Sequence, residues 1–520
     1  MGNGILKSIT GNVTENITEN ITDNNSDNIS RGDISKSGGR KMKKKLVSLM
    51  LVTAMAASMT ACGSSSSEDT AATATASTEA ATAETEAAAT TAASGEGSVY
   101  MLNFKPETDQ AWQDLAATYT EQTGVEVTVL TAADGQYSTT QQAEMAKGDD
   151  APTIFNIGNT TAAQTWNDYT LDLKDTALYD HLTDKSLVIN YDNKVAAVAN
   201  CYECYGIIYN KTILADYCTM DNAVISSAED IKDFDTLKAV AEDINARVDE
   251  INEQFGYELT GAFTSAGLDD GSSWRFSGHL ANLPLYYEFL DDGCDLIAGE
   301  AEIDGTYLDQ YKNVWDLYVN ASGADPKTLT SGAYNAEMEL GMEEAVFFQN
   351  GNWEFSGLTD PENGYLVTAD DLGMMPIYFG VDDANEGFCV GTENYWAVNS
   401  QVPQENIDAT LAFLEWVITS DEGRDAISNT MGLTAPFDTF EGEYESQNVF
   451  FQDCNAAMAD GKTSVAWSFN ATPNVDDWRA DVVAALTAYT DGTGDWDAVK
   501  DAFVTGWADQ WALAHADDAE

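Results

Sequence analysis

The stretch from Val99 to Val129 constrains the fold most, because the spacing of its apolar residues changes twice. Val99 to Phe104 is a short apolar run that reads as a strand. Trp112, Leu115, Ala116 and Tyr119 then recur at i, i+3, i+4 and i+7, which makes one face of a helix, and Gly124 stands where a left-handed C-cap would end it. Val125, Val127 and Val129 alternate with other residues as in a second strand. Strand, helix and strand within about 30 residues form the right-handed crossover unit of a parallel sheet, so an α/β fold is expected. A further strand is predicted at Thr153 to Ile157, after the turn Gly148-Asp149-Asp150-Ala151-Pro152.

What precedes this unit is of another kind. Residues 1–41 repeat Asn-Ile-Thr (Asn16-Ile17-Thr18, Asn20-Ile21-Thr22) without an apolar face, and read as a low-complexity leader outside the mature protein, with Met42 as the start. Lys43, Lys44 and Lys45 lead into an apolar run from Leu46 to about Ala57. That run is shorter than the roughly 20 residues that span a bilayer, so residues 42–61 read as a secretory signal. A cysteine directly after Thr60 and Ala61 resembles the bacterial lipobox, which implies diacylglyceryl transfer to Cys62 and cleavage before it. An ordinary secretory signal followed by a chance cysteine is the alternative. From Gly63 to Gly97 the chain is almost entirely Ala, Thr, Ser and Glu, with no aromatic residue and no Lys or Arg. Residues 62–97 are therefore expected to be a lipidated cysteine and a flexible tether.

The remaining chain is long enough for two domains. Eleven of the 87 acidic and eight of the 24 basic residues precede residue 98, which leaves the body with a formal charge of about −60. Such a charge excludes nucleic acid as a partner, and it does not by itself make the ligand cationic, because exposed charges are screened over about 8 Å at physiological salt.

Enzymatic motifs are weak. Gly461-Lys462-Thr463 echoes the end of a phosphate loop, but Ala456 stands where the first glycine belongs. No metalloprotease or nucleophile-elbow signature occurs, and the histidines His181, His279 and His515 are far apart. Cys201 and Cys204 form a C-x-x-C, whereas Cys218, Cys294, Cys389 and Cys454 stand singly, too few close ligands for zinc. Core thiols and disulfides both remain open. No cofactor and no metal are expected, and the chain does not read as an enzyme.

The opening strand, the helix ending in Gly124, the valine-rich strand and the Asp-Ala-Pro turn resemble the extracellular solute-binding proteins of the maltose-binding type. CYECYGIIYNK (Cys201 to Lys211) is similar to that family's crossover strand, and FFQNGNW (Phe347 to Trp353) to its apolar strand ending in Gly and Trp. Gly391 to Ser420 matches a strand, a helix begun by Pro403 with Ile407, Leu411, Leu414 and Ile418 on one face, and the Thr-Ser-Asp-Glu-Gly ending. The resemblance runs from about residue 98 to the C-terminus. It implies a two-lobed, type II periplasmic-binding-protein-like fold, two α/β lobes joined by hinge crossovers near residues 200–206 and 386–392. One lobe would comprise 98–200 and about 388–424, the other about 205–385 and 425–520, with Trp478 to Trp511 as a closing helical segment.

A sugar presents apolar C–H faces and a rim of hydroxyls, so its site needs aromatic platforms and hydrogen-bonding partners. By the resemblance, Trp353 is the binding tryptophan and Glu203 the crossover acid. Asn156 and Asn159 occupy a loop where relatives place an aromatic and an acid. Trp274 and Arg275 match the second lobe's aromatic contact loosely, and Trp478 matches a C-terminal stacking aromatic, with Trp467 as its competitor. Asn103 and Lys105 follow the first strand, whose carboxyl end faces the cleft, and Tyr395 and Trp396 are cleft or strand core. The expected function is that of a monomeric, lipid-anchored binding protein on the extracytoplasmic face of a bacterial membrane. It would capture an oligosaccharide and pass it to the permease subunits of an ABC transporter. A surface glycoside hydrolase and a polyamine-binding protein are the alternatives.

Overall fold

The helix face read from the sequence is the one the protein buries. In the computed structural model, which describes residues 96–133, 136–269, 271–325, 335–382, 385–392 and 395–516, α1 (Asp109–Thr123) places Trp112, Leu115, Ala116 and Tyr119 in a core. Full burial of one large apolar side chain contributes about 1.5–3 kcal/mol. Gly124 closes α1 at φ +77°, and its N–H donates to the Thr120 carbonyl at 2.9 Å, a left-handed cap that a β-carbon would strain. The leader, the signal segment at 42–61, Cys62 and the tether before residue 96 lie outside the described residues.

The first sheet is built from β1 (Ser98–Asn103), β2 (Glu126–Thr131), β3 (Ile154–Ile157), β4 (Val188–Tyr191), β5 (Lys194–Ala199) and β10 (Tyr395–Val398), in the order β2-β1-β3-β10-β5-β4. β1 runs parallel to β2 and β3, as the crossover unit requires. A short helix, α2 (Thr160–Thr165), follows β3. β10 arrives from much later in the chain and lies antiparallel between β3 and β5.

The second sheet is centred on β6 (Glu203–Asn210). It pairs antiparallel with β7 (Phe347–Gly351) on one side and with β8 (Leu372–Met375) and β9 (Cys389–Gly391) along the other. β6 is apolar almost throughout because both its faces are covered: Cys204 and Ile208 enter one core, Tyr205 and Ile207 another.

The chain passes from the first sheet to the second between Ala199 and Glu203 and returns between Gly391 and Tyr395, the latter just beyond the expected 386–392. α3 (Gln404–Thr419) then lays Ile407, Leu414 and Ile418 on the first core, with Leu411 at its rim. That core also takes in Ile427, Met431, Leu433 and Phe437, so it extends past residue 424. Phe450 and Cys454 of α4 (Val449–Ala459) already pack beneath β6, so a third passage lies between residues 437 and 450.

The closing segment is helical, as expected, and consists of two helices. Gly492, at φ +71°, interrupts it between α5 (Val475–Thr490) and α6 (Trp496–Ala514). The two pack through Trp478, Val482 and Leu486 against Val499, Phe503 and Trp507 in the second lobe's core. Among the described residues no helix is long and apolar enough to cross a membrane.

Candidate functional site

The carboxyl end of β1, the start of β6 and the end of β7 meet where the chain crosses between sheets. Lys105, just past β1, forms an ion pair with Glu203, the first residue of β6, and a longer one with Glu107 at 3.4 Å. Lys105 and Glu203 are 8% and 1% exposed. Burial alone would lower the Lys105 pKa, but Glu203 and Glu107 outweigh it and hold the ammonium well above the usual lysine range. The same ammonium lies 5.2 Å from the ring centre of Trp353, a cation–π contact between the lobes.

Trp353 owes its position to glycine. A β-carbon on Gly351 would sit 2.2–2.5 Å from three atoms of the indole, so only glycine lets the ring lie across the end of β7. Around that ring stand Tyr205, His279 and Trp274, with centroids 5.7, 5.5 and 5.9 Å away. His279 in turn touches Trp467 at 5.2 Å and Phe469 at 4.9 Å. Burial first, then the charges of Arg479, Arg275 and Lys105, keep the imidazole well below its ordinary pKa, so it is neutral.

Arg275 lies over the Trp274 ring at 4.2 Å and reaches Glu354 at 3.3 Å. Glu354 also accepts from Asn350 Nδ2 at 2.7 Å. Burial pushes its carboxyl up to about 7 despite the guanidinium beside it. Tyr205 Oη, donating to the Arg275 carbonyl and accepting from Gln349 Nε2 at 2.8 Å, ties the β6–β7 ladder to this segment.

On the first lobe, Asn156 is 4% exposed, and neither its side-chain oxygen nor its nitrogen has a hydrogen-bonding partner. Asn159 caps α2 by accepting from Ala162 N–H at 2.8 Å, and its Nδ2 donates across to the Asn470 carbonyl of the second lobe at 3.2 Å. Tyr395 is half-buried on β10, its hydroxyl pushed up to about 12 by burial.

The structure thus brings together Lys105, Glu203, Trp274, Arg275, Trp353 and Trp467. Three other residues belong elsewhere. Asn103 turns its amide inward to the Lys105 carbonyl, Thr108 and Thr131, and shapes the turn that aims Lys105. Trp396 packs edge-on against Trp112 in the first core. Trp478 packs on Phe503 and Trp507 and donates its indole N–H to the Phe503 carbonyl at 3.0 Å, so it is a core residue of the closing helices. His279 escaped the sequence reading because no local spacing marks it. A π-helical turn at Arg275–Leu280 brings it to the centre of the rings.

The sequence profile of the bacterial extracellular solute-binding proteins matches residues 114–446. The chain belongs to that family. No curated protein matches this solute-binding protein in sequence. Among solved structures it is similar to maltose-bound MalE3 of T. maritima, with 14% identity and a TM-score of 0.57 over 80% of this chain and 99% of that one. The GacH receptor of Streptomyces glaucescens is similar at 17% identity and TM-score 0.57, over 81% and 99% of the two chains. A chitin oligosaccharide binding protein is similar at 16% identity and TM-score 0.61, over 82% and 100%. At such identities the likeness is one of fold: the solute-binding protein is a two-lobed α/β molecule of the MalE kind.

Proposed function

We propose that this solute-binding protein captures an oligosaccharide between its lobes and presents it unchanged to the permease of an ABC transporter. It would do so as a monomer, held at the extracytoplasmic face of the membrane by a lipid on Cys62. The observation that carries the reading is the grouping of Trp353, Trp274 and Trp467 about His279, with Trp353 against Lys105 of the Lys105–Glu203 pair. Indole faces suit the C–H surfaces of a pyranose, and a cation and a carboxylate suit its hydroxyls. The unpartnered polar atoms of Asn156 and Trp467 add hydrogen-bonding capacity that is costly to leave buried and unused. Similar structures include proteins bound to maltose, maltotriose, raffinose and stachyose, which supports a neutral oligosaccharide.

A polyamine is less well served, because Lys105 already sits against both the carboxylate of Glu203 and the ring of Trp353. Calorimetry with a panel of oligosaccharides and polyamines, followed by chromatography of the recovered sugar, tests the proposal. Saturable heat with a sugar that is recovered intact is expected. Cleaved sugar would make the protein a hydrolase, and heat with polyamines alone would make it a cation receptor. Anchoring is tested separately: Cys62→Ser is expected to leave the protein unlipidated, and membrane fractionation showing it as firmly attached as the parent would end the lipoprotein reading.

A further inference from the structure

The C-x-x-C motif does not act as a pair. Cys201 is buried in the first lobe's core, whereas Cys204, beyond the crossing, points into the cluster beneath β6. There it meets Cys454. The Cys204 thiol lies 3.8 Å from the Phe450 carbonyl, and in α4 that carbonyl faces the residue four positions on, which is Cys454. Cys204 and Cys454 share this one cluster, and both are fully buried.

The other described cysteines are placed elsewhere. Cys389 is on β9 opposite Tyr205, and strand alternation sends it to the other face of the sheet. Cys218 ends one helix and Cys294 follows the Gly293 cap of another, and both pack at the rim of the other core. All six described cysteines are thiols in this structure.

We propose that Cys204 and Cys454 become a disulfide as the protein folds outside the cytoplasm, where its family places it and where disulfides persist. The oxidant is a disulfide of the thiol–disulfide exchange class, borne by an oxidoreductase or a small molecule. The Cys204 thiolate attacks one oxidant sulfur and releases the other as a thiol. The Cys454 thiolate then attacks Cys204 Sγ and releases the second oxidant thiol. The two cysteine protons end on those two thiols, one S–S bond breaks and one forms, and the electrons balance. Burial holds the Cys204 thiol well above the usual range, so the folded pair is a poor nucleophile and the exchange belongs to the time before burial.

The bond would fasten β6, which follows the first crossing, to α4, which follows the third. Bending would then concentrate in the passages at 200–202 and between 437 and 450.

The test is peptide mapping of the full chain, exported from bacteria without reductant and alkylated under denaturing conditions. A linked peptide joining Cys204 to Cys454 is expected, with Cys201, Cys218, Cys294 and Cys389 alkylated. Reductant added to the parent is expected to lower its Tm by about 5 °C or more, since the bond closes a loop of about 250 residues. In Cys454→Ala the Tm is expected not to respond to reductant. Alkylation of both Cys204 and Cys454 in the exported protein, also after refolding with oxidised glutathione, would overturn the proposal, as would a Cys201–Cys204 link. The mapping needs no variant, so it decides the matter even if Cys454→Ala fails to fold.

Discussion

Lys105 joins three parts of the molecule: its own loop after β1, the crossing residue Glu203, and Trp353 in the second lobe. Removing one partner of such a buried pair costs far more than the pair's net worth, about 3–5 kcal/mol, because the remaining charge stays desolvated. Lys105→Met and Glu203→Gln are each expected to destabilise the protein by about that amount in denaturant titrations, and the double variant by less than the sum. Strict additivity would show that the two groups act independently. Glu354 gives a pH signature. Its carboxyl lies at about 7 in the folded protein against an ordinary 4.5, raised by burial and by Glu337 and Glu107, and opposed by Arg275. Between those values the folded state holds a proton that the unfolded chain has released, so this group's contribution to stability is lost as pH rises through the window. Glu354→Gln cannot lose that proton. The difference in Tm between parent and variant is expected to change across pH 4.5 to 7, and parallel curves would refute the assignment.

At the scale of elements, the closing helices separate two tryptophans that look alike in sequence. Trp478→Ala is expected to lower stability by about 3–5 kcal/mol, as loss of a packed core indole does, while calorimetric affinity for the sugar stays within twofold. A large loss of affinity in a variant of near-normal stability would return Trp478 to the site. The core of α1 was legible because Trp112, Leu115, Ala116 and Tyr119 announce a helix face by spacing alone. That Glu203, Lys105 and Trp353 lie at strand ends near the crossing was legible from the strand pattern and the resemblance. His279, Tyr205 and Phe469 were not, since contacts among β6, the π-helical turn and the segment after Trp467 are made only by tertiary folding. Asn103 misled for a similar reason: a polar residue at a strand end can serve a ligand or its own turn, and its bonds to Lys105, Thr108 and Thr131 show the second.

At the scale of the whole molecule, Trp353 is 8% exposed, and Asn159 bonds across to Asn470, so the arrangement described is a closed one. A ligand can reach Lys105, Glu203 and Trp353 only if the lobes part. The radius of gyration of the ligand-free protein by small-angle scattering is therefore expected to fall on saturation with sugar. A curve unchanged at saturation would argue against a hinged receptor. The place of β10 has a further consequence, for the order in which the molecule is made. Synthesis runs from the N-terminus, and the strand that joins β3 to β5 begins at Tyr395, nearly 200 residues after β5 ends. Until it emerges, the first sheet is two fragments with open inner edges, the kind of edge that recruits other chains. Folding therefore has to join two fragments far apart in the chain, and its slow step is expected to be the late, long-range insertion of a central strand.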